Sequence, residues 1–446
     1  MTLRSDLLMR GFLPENLPPV FTTTALGDFA EAHFPKNEYL TRRQFRTRPA
    51  NYNASKRGHQ RRVFSIANPI AAADTALFLH QHWLAIQEHF DKSPFSASRP
   101  ALAVEGPRAI AITPHDELSH LRNERLAASR FIVSTDISRF FPSIYTHALP
   151  WAFHGKAQSK ADAHPRSRNI FFNRLDYILR QAQDGQTIGI PVGPDSSRVI
   201  AEILAAAVDA EFLAHSRGAK PVMLRHVDDV WIGARTQDEA ERPLYTYRTT
   251  LREYELDINE LKTFISPAAK QIPHFRPKEL GDLLRSEFAS GPRHRSLRNN
   301  ERIFVLDRVF DLANRHNDDG IIKFALRRLD SLRAWSRHWD TLEPFILRCF
   351  VNYPHSVDYV ARVLACRARI DKGLNLKIWQ CVERGHRLSC SVAQRLRSML
   401  GVMACSGAAG QRQERRCPID HRALRTSAAD IAVRLYGMRD HTISSG

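Results

Sequence analysis

The sequence predicts an α+β fold, a mixed strand-and-helix region followed by an all-helical C-terminal third, and three observations lead there. At 446 residues the chain exceeds what one hydrophobic core usually supports, so two or more domains are expected. Short β-branched runs such as Phe131–Asp136 and Val222–Ile232 lie in its first two thirds. From about residue 295 strand signals almost vanish and apolar residues recur at helical spacing. The expected organisation is an N-terminal segment (1–40), a mixed domain (41–290), a helical domain (295–406) and a basic, loosely ordered tail (407–446). A composition of 43% hydrophobic and 25% charged residues excludes a chain that is mostly disordered or fibrous.

Each element has a local reason. Pro14, Pro18 and Pro19 break any long helix near the N-terminus. Thr41 to Arg62 carries eight basic residues and no acidic one, with Phe45 and Tyr52 interleaved. Such a run is either a solvated face or a surface that contacts phosphates and stacks on bases. Val63 to Pro69 reads as a strand closed by proline, and Ile70 to Phe90 as a helix. Phe131–Asp136 reads as a buried strand ending in a carboxylate, after which Pro142 stops regular structure. The stiff loop Gly189-Ile-Pro-Val-Gly-Pro194 feeds a helix from Ser197 to His215. Val222–Val227 and Val230–Ile232 form a hairpin with Asp228 and Asp229 at its tip. Thr236 with Glu239 resembles a capping box opening the next helix, with Pro243 close behind. Ile321–Trp335, Leu342–Asn352 and Val357–Cys366 have helical length, and Pro344 and Pro354 near helix starts suggest stacked helix pairs.

Charge narrows the partners. Lys plus Arg exceed Asp plus Glu by 65 to 47, a net charge of +18, which attracts polyanions and puts nucleic acid first. There is no apolar run long enough for a membrane span and no signal-like N-terminus, so a cytoplasmic protein with no membrane partner is expected. The six cysteines all lie in the last quarter without a tight metal-ligand pair, Cys381, His386 and Cys390 included, and reduced thiols are expected.

Adjacent aspartates repel one another unless a cation sits between them. Asp318-Asp319-Gly320 reads as an ordinary polar turn. Asp136 also ends a buried strand, and bringing it beside Asp228-Asp229 would give an oxygen-rich site of the kind Mg²⁺ prefers, with Mn²⁺ as the alternate. Two such ions can activate an attacking oxygen and stabilise a leaving one in phosphoryl transfer.

In order, Asp136-Ile-x-x-Phe-Phe-Pro-Ser-Ile-Tyr145, Gly189-Ile-Pro-Val-Gly-Pro194 with Ser196-Ser197-Arg198, His226-Val-Asp-Asp229 and Leu261-Lys-Thr263 resemble the palm motifs of reverse transcriptases. The resemblance covers roughly residues 40 to 270, and its wording is similar to the bacterial abortive-infection and defence-associated reverse transcriptases of AbiA and AbiK type. It implies right-hand polymerase fingers and palm, followed by a HEAT-like helical repeat domain in place of a thumb. It implies Asp136 and Asp228 as metal ligands with Asp229 beside them, and Lys262 as the late palm lysine that donates a proton or neutralises pyrophosphate. Phe141 falls at the family's sugar gate, which implies deoxynucleotide substrates. Lys56, Arg57, Arg61 and Arg62 resemble triphosphate-gripping fingers residues, and spacing does not choose among them. Gly193 would let the backbone approach nucleotide and template. Two departures stand out, His226 where the pattern has Tyr beneath the primer terminus, and Val192 where retroviral enzymes carry Gln.

The activity implied is DNA synthesis from deoxynucleoside triphosphates in antiphage defence, open to protein-primed, template-independent synthesis with Tyr39, Tyr52 and Tyr145 as formal priming hydroxyls. The implied partners are nucleic acid, as DNA product and RNA template, and further copies of the chain in a homo-oligomer. The alternatives are a template-copying enzyme of retron or mobile-intron kind and a non-catalytic nucleic-acid-binding scaffold.

Overall fold

A computed structural model describes residues 2–380, except 15–16, 18–20, 42–45, 56–60, 217–219, 271–276, 290–294, 317, 357–358, 361–362, 365–366, 368–372, 375 and 378–379. The fold is a helix-rich α+β arrangement that divides into two compact units. One comprises 1–15, 22–52 and 64–272, and the other 16–21, 53–63 and 273–446. The expected tail after 407, every cysteine except Cys349, and Lys56 and Arg57 lie outside the described residues.

The N-terminal stretch holds two short helices on either side of its prolines, α1 (Leu3–Met9) and α2 (Thr24–His33). Thr2 starts α1 by accepting the Ser5 N–H, and Leu3, Leu7 and Leu8 join the main core of the first unit. β1 (Ala50–Ser55) and β2 (Arg61–Ile66) form a two-stranded sheet. The single helix expected over 70–90 is two, α3 (Pro69–Gln81) and α4 (Trp83–Phe90), with His82 closing the first at φ −110°. Asn68 caps α3 through the Ile70 N–H and Pro69 occupies its first turn, where a missing N–H costs nothing. Two short strands, β3 (Ala101–Leu102) and β4 (Ile110–Ala111), precede α5 (His115–Leu126).

β5 (Phe131–Asp136) ends at its carboxylate as the sequence suggests. Pro142 does not stop regular structure, however. It sits inside the one-turn helix α6 (Phe140–Ser143), where an absent donor again costs little. α7 (Ala148–His154), α8 (Lys156–Ala161) and α9 (Phe172–Gln181) lead to α10 (Asp195–His215), whose apolar face carries Val199, Ile203 and Leu204 into the core. The hairpin is β6 (Val222–His226) and β7 (Asp229–Ala234). α11 (Gln237–Glu253) is capped by Thr236, which accepts the Glu239 N–H, and Pro243 lies within it. β8 (Phe264–Pro267) completes an antiparallel four-stranded sheet ordered β6-β7-β5-β8.

The second unit is helical beyond 277, with α12 (Pro277–Phe288), α13 (Arg295–Arg315), α14 (Gly320–Ser331), α15 (Ala334–Arg337) and α16 (Trp339–Asn352). Leu284, Val309, Ile321, Leu326, Leu342 and Cys349 are among its buried core. Asp318 accepts the Gly320 N–H, the turn role expected of it. α16 begins three residues before the expected Leu342, so Pro344 lies inside it.

Candidate active site

The register of the sheet sets the site. Asp136 at the end of β5 faces Asp229 at the start of β7, and Asp229 in turn faces His226 of β6. Directly opposed residues on neighbouring antiparallel strands point their side chains to the same face, so these two carboxylates share one. Asp228 and Asp229 were expected together at the hairpin tip. The turn is instead Val227-Asp228, and Asp229 belongs to the strand ladder. Asp228 is tied to the end of β5 by its carbonyl, which accepts the Ile137 N–H at 2.9 Å. The next segment closes the other side, with the Asp136 carbonyl accepting from Asn259 N–H at 2.8 Å and the Thr135 and Thr263 hydroxyls bonded at 2.7 Å.

Lys262 ends a short 3-10 turn (Glu260–Lys262) and donates from Nζ to Asp136 Oδ2. Partial burial works against its charge, but the hydrogen bond to Asp136 and the charges of Asp136, Asp229 and Asp228 outweigh it and raise its pKa. The structure therefore brings Asp136, Asp228, Asp229 and Lys262 together. Asp136 is buried, and its Oδ1 has no hydrogen-bond partner. A buried carboxylate oxygen left unpaired is costly, and a cation is the partner that suits it. Among the described residues no three His, Cys, Asp or Glu side chains are already gathered as a metal-binding cluster.

The remaining candidates occupy distinct places. Phe141 in α6 is half-buried, its ring 5.7 Å from that of the buried Phe140 and tilted by 58°. Its carbonyl accepts the Ile190 N–H at 3.0 Å, which joins α6 to the 189–194 loop. Val192 is half-buried and its carbonyl accepts the Ser65 N–H of β2 at 3.1 Å. Gly193 has φ +120°, a conformation that favours glycine. What approaches it in this chain is Pro14, whose Cβ would lie 2.5 Å from a Cβ built at 193. Arg108 secures that approach by donating to the carbonyls of Leu13 (2.6 Å) and Gly193 (3.0 Å) and to the fully buried Asp195. His226 is buried with Nε2 3.1 Å from the Thr113 carbonyl, so Nε2 carries a proton and donates. Arg61 and Arg62 are exposed on β2, and Arg61 donates to the Asn53 side chain and carbonyl.

Residues behind the hairpin escape the sequence reading. Arg225 of β6 is fully buried and donates to Glu202 (2.8 Å) and Asp209 (2.8 Å) of α10. Burial pushes the Asp209 carboxyl up to about 6 despite the opposing charge of Arg225. The available signal was a lone arginine in an apolar strand together with acidic residues seven apart on an otherwise apolar helix.

No family model and no curated protein matches the sequence. Solved structures that are similar include apo telomerase from Candida tropicalis, at 12% identity and TM-score 0.38, covering 76% of this chain and 66% of that one. Telomerase from Candida albicans in complex with a TWJ fragment of telomeric RNA matches at 12% identity and TM-score 0.33, over 80% of this chain and 65% of that one. This chain thus spans about two thirds of the telomerase chains it matches, a likeness too loose to assign a fold.

Proposed function

We propose that the chain is a reverse-transcriptase-like DNA polymerase of the abortive-infection type, transferring nucleotides from deoxynucleoside triphosphates in defence against phage. The observation that carries this reading is the pairing of Asp136 with Asp229 across neighbouring strands, beside Asp228 at the turn and Lys262 on Asp136. Asp136, through its unpartnered Oδ1, and the hairpin aspartates would hold Mg²⁺ or Mn²⁺. When bound, the ions lower the pKa of the attacking hydroxyl and offset charge on the leaving pyrophosphate.

The chain's own groups do the rest. Lys262, hydrogen-bonded to Asp136, is placed to donate a proton or to neutralise the leaving pyrophosphate. The half-buried Phe141 ring, at the position of the family's sugar gate, would occupy the volume that a 2′-hydroxyl needs. His226, held on the Thr113 carbonyl and opposite Asp229 in the ladder, would pack beneath the primer terminus. The net charge of +18 favours nucleic-acid partners. The motif order resembles the abortive-infection enzymes, and from that resemblance come the antiphage role, protein-primed synthesis without a template, a HEAT-like organisation of the second unit and a homo-oligomer.

The test uses the full-length protein with Mg²⁺ and labelled deoxynucleotides. Asp228→Asn is expected to lower incorporation by at least about a hundredfold while the circular dichroism spectrum is unchanged, because a ligand charge is lost from a half-exposed turn. Incorporation at the wild-type rate refutes the site.

A further inference from the structure

The backbone at the hairpin turn is in an unusual state. Val227 has φ +58°, in the left-handed region that β-branched residues avoid. A residue held there persists only when its surroundings over-determine it. Here they do. The Val227 N–H donates to Ser98 Oγ at 2.7 Å, and the Val227 carbonyl accepts from Arg225 Nη1 at 3.2 Å. Arg225 is itself immobilised. Its guanidinium donates to Glu202 Oε1 and Oε2 and to Asp209 Oδ2, and Asp209 also accepts from Ser93. Its backbone is clamped as well, with the N–H on the Phe95 carbonyl (2.9 Å) and its own carbonyl accepting from Ala97 N–H (2.7 Å).

Burying a guanidinium with two carboxylates costs desolvation that apolar side chains would avoid, so stability alone does not account for it. What such a cluster supplies is a fixed geometry, and the atom it fixes is the carbonyl one residue before Asp228. We propose that Arg225, with Glu202, Asp209 and Ser98, is a positioning device that holds Val227 in the left-handed conformation and thereby sets Asp228 and Asp229 against Asp136. The catalytic consequence rests on the polymerase reading, whereas the geometric one does not. Arg225 touches no reacting atom. It acts through the turn.

The test compares Arg225→Lys, which keeps the charge and loses the fork of donors, with Arg225→Lys combined with Val227→Asn, since Asn enters the left-handed region with little penalty. Full-length proteins are measured for nucleotide incorporation with Mg²⁺ and for hydrogen exchange of the 227–230 amides. Arg225→Lys should lower kcat about tenfold with KM unchanged and speed exchange at the turn by a similar factor. Adding Val227→Asn should return both to within about threefold of wild type without recovering the melting temperature. A purely structural arginine would lower the melting temperature and gain nothing from Asn at 227, and that result overturns the proposal. Should Arg225→Lys fail to fold, Ser98→Ala removes the second anchor of Val227 and must speed exchange at the turn; unchanged exchange overturns the proposal. If wild type incorporates nothing yet exchange follows this pattern, the positioning stands and the polymerase reading falls.

Discussion

Removing the Phe141 ring tests the claim that the product is DNA. Phe140 and Phe141 are neighbours with rings 5.7 Å apart, but Phe140 is 2% exposed and Phe141 is only half-buried. Truncating a fully buried phenylalanine to alanine costs about 3 to 5 kcal/mol, so half burial puts Phe141→Ala at roughly 2 kcal/mol. In a folding unit of this size, 1 kcal/mol moves the melting temperature by about 2 to 4 °C, which gives roughly 4 to 8 °C for Phe141→Ala and clearly more for Phe140→Ala. The functional effect runs the other way. Opening the space beside the sugar removes steric exclusion of one hydroxyl, and a group of that size is worth about ten- to two-hundredfold in discrimination. Phe141→Ala should therefore raise the ratio of ribonucleotide to deoxynucleotide incorporation by about tenfold or more, whereas Phe140→Ala should depress both alike. The assay is paired incorporation of labelled ribo- and deoxynucleotides alongside thermal melting. An unchanged ratio in Phe141→Ala, with a melting loss as large as that of Phe140→Ala, would make Phe141 an ordinary packing residue.

Gly193→Ala should destabilise the protein by roughly 2 to 5 kcal/mol, combining overlap with Pro14 and an unfavourable backbone, and Pro14→Gly should recover only part of the overlap, since its Cα would still lie 2.9 Å from the new Cβ. Urea midpoints for the single and double variants check this, and an unchanged midpoint in Gly193→Ala would contradict the close approach. Acid should weaken the fold through His89, which burial holds down to about 4 while its Nε2 donates to the Ile203 carbonyl. Because the folded pKa lies below the unfolded value, the stabilisation is complete above about pH 6.5 and is lost as pH falls toward 4, about 3 kcal/mol over the window. His89→Gln, which keeps a donor and does not titrate, should flatten the slope of stability against pH between 6.5 and 4; an identical slope would assign the acid sensitivity elsewhere.

The legibility of this chain follows the range of the forces involved. Phe131–Asp136 and the 222–234 hairpin are readable because strand preference and turn chemistry are local, and the carboxylates interrupt apolar runs at the strand ends. Lys262 was legible only through motif order, since its contact with Asp136 joins residues far apart in the chain. Arg225 was hidden because an arginine in a strand normally reads as solvent-facing, and only the packed helix α10 reveals two carboxylates waiting for it. Pro14 over Gly193 is likewise a tertiary fact. The proline signals a break in the N-terminal chain and says nothing of where that chain returns. Pro142 misled for the opposite reason, as it is accommodated within a helix, as are Pro243 and Pro344.

The order of the four strands has a consequence for how the protein is made. β5 is synthesised first, yet its neighbours in the sheet, β7 and β8, emerge only after α7 to α10 have been translated. Until then an apolar strand ending in Asp136 has both its edges open, the condition in which strands recruit foreign partners. The pairings that close it are distant in sequence and so are slow to form. A nascent or truncated chain thus carries one carboxylate of the site and no opposing strand, and the site comes into being only when the whole first unit does.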